Sequence, residues 1–213
     1  MIIAVYKEKG FTSRDVVNRI KEATGRKKAG HAGTLDPLAE GVLVVGIDRE
    51  ATKELHKERF EEKEYVAVVR FGMYSETDDE EGNKENVEVK RIPKVEEINK
   101  VLSSFSGEIC QRPPSFSAVK VKGKEAYKWT REGKEVDLEE RKVHIKKIRL
   151  LSYRYPLLKI KIITGRGVYV RSLARDVGKS LGVGGYLLSL LRTRVGDLTL
   201  GDCKQLEYFN GLK

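Results

Sequence analysis

The chain has 213 residues, 35% of them charged, and its 42 Lys and Arg against 32 Asp and Glu give a formal net charge of +10 and a pI near 9.5. This length supports a full hydrophobic core without disulfide staples, and no apolar run is long enough to span a membrane or form the core of a secretory signal. The charge points to a polyanionic partner and equally fits a surface of ion pairs, while Cys110 and Cys203 match no zinc or CxxC spacing and suit structural thiols in a reducing cytoplasm.

In chain order, residues 2–6 read as a strand. Thr12-Ser13-Arg14-Asp15 offers a cap before a helix that places Val16, Val17, Ile20 and Ala23 on one side and stops at Gly25. Val42-Leu43-Val44-Val45-Gly46-Ile47 is a continuous apolar run, as expected of a strand buried on both faces. Residues 65–71 read as a second strand, and the acidic stretch 75–82 as a solvated loop or hairpin. Residues 93–105 have helical spacing, with Pro93 near the first turn. Residues 112–133 are basic and aromatic, either an RNA-gripping flap or a surface hairpin and helix. Residues 143–155 and 158–163 alternate basic and aliphatic side chains, the pattern of strands with a positive outer face. Residues 169–181 and 185–191 read as two helices before Arg192-Thr193-Arg194-Val195-Gly196. With no low-complexity linker, one domain over 1–213 is the simplest organisation.

The stretch with most to explain is Gly30-His31-Ala32-Gly33-Thr34-Leu35-Asp36-Pro37-Leu38-Ala39-Glu40-Gly41. From Ala32 to Ala39 it carries a single charge, Asp36, among glycines that let a backbone turn tightly and before a proline that restricts the aspartate's conformation. A turn in which Asp36 bonds a nearby amide accounts for this pattern, and so does a carboxylate aimed at a ligand. The chain has no GxxxxGK[ST] loop, no GxGxxG after a strand, no HExxH and no deaminase zinc signature, and its histidines, His31, His56 and His144, lie in no evident Ser/His/Asp context. Chemistry on a base in RNA needs a cationic surface, an aromatic to stack the extruded base and a reactive group beside it. Asp36, Tyr65 and Arg171 are candidates for the last two and for a cationic partner. By residue type alone, Tyr65 reads first as an ordinary strand aromatic and Arg171 as a helix-surface charge.

The block from Gly30 to Gly41, with Ala51-Thr52-Lys53, closely resembles the GH(T/A)GTLDPLA(T/E)G block and following ATK of the TruB family of tRNA pseudouridine synthases. Lys63-Glu64-Tyr65 resembles the family's K-x-Y segment, residues 72–82 its threonine- and aspartate-bearing loop, and Pro114-Ser115-Phe116-Ser117-Ala118-Val119-Lys120 its PSxxSA(L/V)K motif. Gly167-Val168-Tyr169-Val170-Arg171-Ser172-Leu173 and Arg192-Thr193-Arg194-Val195-Gly196 complete the set in family order.

The resemblance implies an α/β (α+β) pseudouridine synthase fold, a mixed and mostly antiparallel sheet flanked by helices with a thumb-like RNA-binding flap at about residues 112–133. It implies a cofactor-free and metal-free isomerisation of the T-loop uridine of tRNA, position 55 in tRNA numbering, with the base flipped out. Asp36 would be the catalytic carboxylate, adding to base or sugar. Tyr65 would stack on the uracil and Arg171 would pair with Asp36. His31 would occupy the gap left by the flipped nucleotide, Lys120 would contact RNA, and Leu190 would line the uracil pocket.

A cytoplasmic monomer acting on the tRNA T-arm is expected, and Leu35-Asp36-Pro37-Leu38-Ala39 favours the bacterial, stand-alone type. The opening segment departs from the family's D/N-K-P-x-G-x-(T/S)-S, with Glu8 and Lys9 taken to stand where K-P is expected. The sequence ends shortly after the last motif, without the C-terminal RNA-binding domain many members append, so either affinity comes from the catalytic domain or the sequence is a truncated piece of a longer chain. The alternative is a tRNA-binding or folding module without turnover.

Overall fold

The computed structural model describes residues 1–55, 57, 60–121, 123–134 and 136–211; His56 and Lys122 lie outside them. The chain divides into two compact units, Met1–Val66 with Leu190–Lys213, and Ala67–Ser189.

In the first unit, strand β1 (Ile2–Lys7) leads into helix α1 (Ser13–Thr24), then β2 (Ala29–Ala32), β3 (Ala39–Ile47) and the short helix α2 (Arg49–Glu54). The α1 cap is the one its sequence predicts: the Thr12 hydroxyl accepts from the Asp15 amide at 3.1 Å, the Asp15 carboxylate accepts from the Thr12 amide at 2.8 Å, and Gly25 ends the helix at φ 65°. Strand β3 is buried on both faces. Leu43, Val45 and Ile47 pack with Val5 and the α1 residues Val16, Val17 and Ile20, while Val42 and Val44 pack with Ala4, Ala32 and Val195 on the other face. The strand order is β1-β3-β12-β4, with β4 (Lys63–Phe71) and β12 (Gly185–Val195) both continuing into the second unit. β3 pairs antiparallel with β1 and β2, and parallel with β12, so that Gly41 faces Arg192. The glycine is required there: φ is 107°, and a Cβ would lie 2.2 Å from the Arg192 carbonyl oxygen.

In the second unit, a small hairpin, β5 (Met73–Ser75) and β6 (Lys84–Asn86), precedes helix α3 (Val95–Ser104) and strand β7 (Gly107–Gln111). Next come β8 (Lys120–Val121), β9 (Lys124–Glu125) and helix α4 (Ala126–Arg131), then the long hairpin β10 (Arg141–Arg154) and β11 (Leu157–Thr164), and helix α5 (Val170–Ser180). The strand order is β12-β4-β11-β10-β7, and β10 pairs antiparallel with both neighbours. Helix α3 packs against β10 and α5. The mixed, mostly antiparallel sheet with flanking helices agrees with the expected fold class. The basic segment folds as a hairpin and helix around Val119, Ala126 and Leu138.

Two expectations are corrected. Residues 185–191 are strand rather than helix: leucine-rich Gly185-Tyr186-Leu187-Leu188-Ser189-Leu190-Leu191 belongs to β12, and an apolar run in a sheet interior carries no periodicity that separates it from a buried helix. The acidic stretch 75–82 turns the β5–β6 hairpin and is only partly solvated: Glu76, Glu80 and Glu81 are exposed, but Ser75, Asp78 and Asp79 are buried. Arginines of α5 make that burial tolerable: Arg175 Nη1 lies 2.8 Å from the Asp78 carboxylate and Arg171 Nε 3.6 Å from that of Asp79.

Candidate active site

The Asp36 loop is fixed by its neighbours in the first unit. Leu35 and Leu38 are buried on either side of the turn. The buried Ser13 hydroxyl, at the start of α1, donates to the Leu35 carbonyl at 3.0 Å and accepts from the Leu35 amide at 2.8 Å. The Gly10 amide donates to the Pro37 carbonyl at 2.8 Å, and the Ala39 amide to the Asp36 carbonyl at 3.0 Å. The backbone thus makes the turn expected of an aspartate before proline, and that turn is what aims the half-buried side chain.

Two fully buried cations act electrostatically on Asp36. Lys7, the last residue of β1, donates to the Phe11 carbonyl at 2.6 Å and the Glu8 carbonyl at 3.1 Å. Arg192 of β12 donates from Nε to the Val42 carbonyl at 2.7 Å and from Nη2 to the Gly33 carbonyl at 3.1 Å, and it also bonds the Tyr65 hydroxyl. Burial pushes the Arg192 guanidinium down from its ordinary range, while Tyr65 and Asp36 draw it back up. Burial likewise pushes the Lys7 ammonium down to about 8, against the pull of Asp36. Glu40, the other acid of the loop, accepts from the Tyr6 hydroxyl at 2.9 Å.

The Lys7 shift fixes the sign of a pH effect. An unfolded lysine keeps its proton up to about 10.5, so between pH 8 and 10.5 the unfolded chain binds more protons than the folded one, and stability rises with pH. Thermal melts should show this rise in the wild type between pH 8 and 9, below the range in which the raised Cys203 thiol acts with the opposite sign, and its loss in Lys7→Met; parallel profiles for the two would mean that the shift belongs elsewhere.

Of the residues singled out in the sequence, Asp36, Tyr65, His31 and Leu190 fall in this unit. The Tyr65 ring is buried. His31, in β2, is half-buried, its Nδ1 has no hydrogen-bond partner among the described residues, and burial followed by the charges of Arg192 and Arg14 lowers its pKa. Leu190 sits opposite Ala39 in the β3–β12 register. Arg171 and Lys120 fall in the second unit. Arg171, near the start of α5, donates to the Thr77 carbonyl at 3.2 Å and the Phe116 carbonyl at 3.0 Å besides facing Asp79. Lys120 is exposed on the β8–β9 hairpin, across from Glu125.

Sequence reasoning passed over Lys7, Arg192 and Asp79. Counting back from Gly10, K-P-x-G puts Lys7 at the lysine, with Glu8 in place of the proline and Tyr6 in place of the preceding D/N, so the alignment of Glu8 and Lys9 with K-P is corrected by one residue. The sequence carried a faint signal for the two cations, since Lys7 closes the mostly apolar strand β1 and Arg192 directly follows the leucine-rich run of β12. Among the described residues, no group of three or more His, Cys, Asp or Glu side chains is placed to hold a metal ion.

The model of the TruB family pseudouridylate synthase N-terminal domain matches residues 21–170. The chain is 41% identical over 203 residues to tRNA pseudouridine synthase B of Parabacteroides distasonis, covering 92% of this chain and 86% of that protein. It is 42% identical over 212 residues to the protein of the same name from Mycobacteroides abscessus, covering 97% and 70%. Among solved structures, a chain of a Cbf5-Nop10-Gar1 complex is similar with a TM-score of 0.74 at 30% identity, over 97% of this chain and 52% of that one. A chain of an H/ACA RNP bound to a substrate RNA containing 2'-deoxyuridine gives 0.71 at 28% identity, over 97% and 51%. This chain therefore spans about half the length of those two solved chains.

Proposed function

The chain belongs to the TruB family of pseudouridylate synthases, and from that premise we propose that it isomerises the T-loop uridine of tRNA to pseudouridine with Asp36 as the catalytic carboxylate. At the coarser level it is a pseudouridine synthase acting on tRNA. The observation that carries the proposal is the Asp36 loop itself, a carboxylate on a turn clamped by Ser13 and Gly10 and backed by the buried Lys7 and Arg192.

In the proposed reaction the uridine leaves its stack and enters beside Asp36. The carboxylate forms a covalent adduct through base or sugar, the bond from ribose C1′ to N1 breaks, the uracil turns, C5 joins C1′, and the bond to Asp36 breaks to return the free carboxylate. The C5 proton then leaves and N1 takes up a proton, so that the product is an isomer of the substrate. Tyr65 stacks on the uracil and takes part in that proton's removal, Leu190 lines the pocket, and the half-buried His31 fills the space vacated in the T-loop. The resemblance gives Arg171 the part of a cation for the catalytic carboxylate and Lys120 an RNA contact.

The deciding experiment incubates an unmodified T-arm transcript with purified protein and maps pseudouridine by carbodiimide chemistry. Modification at the T-loop uridine is the expected result; binding without product would instead leave a tRNA-folding module. Tyr65→Phe keeps the stacking ring and removes the hydroxyl that Arg192 bonds. Transcript affinity should hold while turnover falls by about 100-fold or more, the usual scale for a lost proton-transfer group. Full turnover in that variant would restrict Tyr65 to stacking and to anchoring Arg192.

A further inference from the structure

The net positive charge of the chain is concentrated in one place that the proposed chemistry does not use. Residues 141–164 hold eight Lys or Arg and no Asp or Glu, a formal +8 against +10 for the whole chain. These residues are the β10–β11 hairpin. Its register separates two faces. Leu158, Ile160 and Ile162 are fully buried, and their partners Tyr153, Leu150 and Ile148 share that side. The other face carries Lys147, Arg149 and Arg154 on β10 with Lys159 and Lys161 on β11.

Arg149 stands directly opposite Lys161, and like charges in that position weaken a sheet. Lys147, Arg149, Arg154 and Lys159 are exposed and have no ion pair or hydrogen bond among the described residues. Other exposed cations of this unit do meet acids: Lys142, at the far end of β10, meets Glu108 of β7 at 2.9 Å, and Arg91 pairs with Glu97. A surface stabilised by ion pairs would intersperse the two signs, whereas the hairpin itself contributes no acid to this face.

The face also offers more than charge. Alternate residues along a strand stand about 6.7 Å apart, on the scale of successive phosphates in an RNA strand. At the turn end of the hairpin an open groove of about 540 Å³ is lined by Val68, Tyr155 and Leu157 with Arg154 and Lys159 at its edge, aromatic and aliphatic surface beside cations.

We propose that the exposed face of the β10–β11 hairpin is a second RNA-binding surface, which takes the sugar–phosphate backbone of the tRNA outside the T-arm. The inference rests on tRNA being the substrate and adds a contact on two strands that carry none of the residues assigned to the chemistry.

The test compares the wild type, Lys147→Glu/Arg149→Glu/Lys159→Glu, and a control with the same charge change, Lys90→Glu/Lys100→Glu/Lys179→Glu. Each is titrated with full-length unmodified tRNA transcript and with its isolated T-arm hairpin over a range of salt. The hairpin-face variant should bind full-length tRNA at least about tenfold more weakly than the control, with a log–log salt slope shallower by about 2–3, since each neutralised phosphate contributes about 0.7–0.9. Its affinity for the T-arm hairpin and its turnover there should match the control. Equal losses in the two variants, or the same excess loss on the isolated hairpin, would overturn the proposal; a face that captured an acidic protein partner instead would give the first of these. Melting curves and the neutral version, Lys147→Gln/Arg149→Gln/Lys159→Gln with an intermediate loss, separate binding from misfolding. Absence of pseudouridine in either RNA with wild-type protein would defeat the T-loop assignment and leave the binding comparison intact.

Discussion

Asp36→Asn should bind unmodified tRNA within about threefold of the wild type and form pseudouridine at least about a thousandfold more slowly, the signature of a group used in the transition state rather than in substrate binding. The substitution keeps the volume and the turn: Leu35, Pro37 and Ala39 make the backbone bonds that shape the loop, and none depends on the carboxylate. What it removes is the nucleophilic oxygen pair. Single-turnover assays with enzyme in excess measure the chemical step directly, and a rate near wild type would mean that another group performs the attack. Asp36→Glu is a useful companion, because it restores the charge while displacing it by one methylene from a loop that cannot shift to compensate.

Arg192→Leu should lower stability by about 3 kcal/mol, a fall of roughly 6–12 °C in Tm, because it leaves the buried Val42 carbonyl and the Tyr65 hydroxyl without their donor and removes the part-buried bond to the Gly33 carbonyl. The Val42 and Gly33 carbonyls and Tyr65 all depend on this one guanidinium. Arg192→Lys should recover only part of that loss, since a single ammonium cannot replace a planar fork that bonds in several directions. The effect should extend to catalysis below the melting range, because Gly33 lies in the loop that carries Asp36 and Tyr65 loses its donor. Calorimetry with turnover measured well below Tm checks both parts. A leucine variant that melted with the wild type would show that the loss of a costly buried charge offsets the broken bonds.

The elements legible in the sequence are those whose signals are local. Helix α1 announces itself through Thr12, Asp15 and Gly25, and β3 through six residues of apolar run, because capping and double-sided burial are written in adjacent positions. Where the deciding partner is distant, the sequence misleads. Gly185 to Leu191 look helical until the strands beside them are known. Asp78 and Asp79 look solvated until arginines of α5 are brought to them, Arg175 from 97 residues away. The site divides along the same line. Asp36 stands out through its uncharged surroundings, whereas Lys7 and Arg192 acquire their meaning only by being buried next to it.

The β3–β12 pairing has a consequence for how the protein is made. Arg192 bonds a carbonyl 150 residues earlier in the chain. At about 5–20 residues per second, synthesis leaves roughly 10–30 s between the appearance of Val42 and that of Arg192. Throughout that interval the Asp36 loop and one edge of β3 lack the strand that completes them, so with Asp36 in its proposed role the site stays incomplete, and the nascent chain presents an open apolar edge. Order of synthesis thereby withholds the chemistry until β12 has emerged, and makes that edge the point at which a slowed ribosome or a truncated message would turn folding into aggregation.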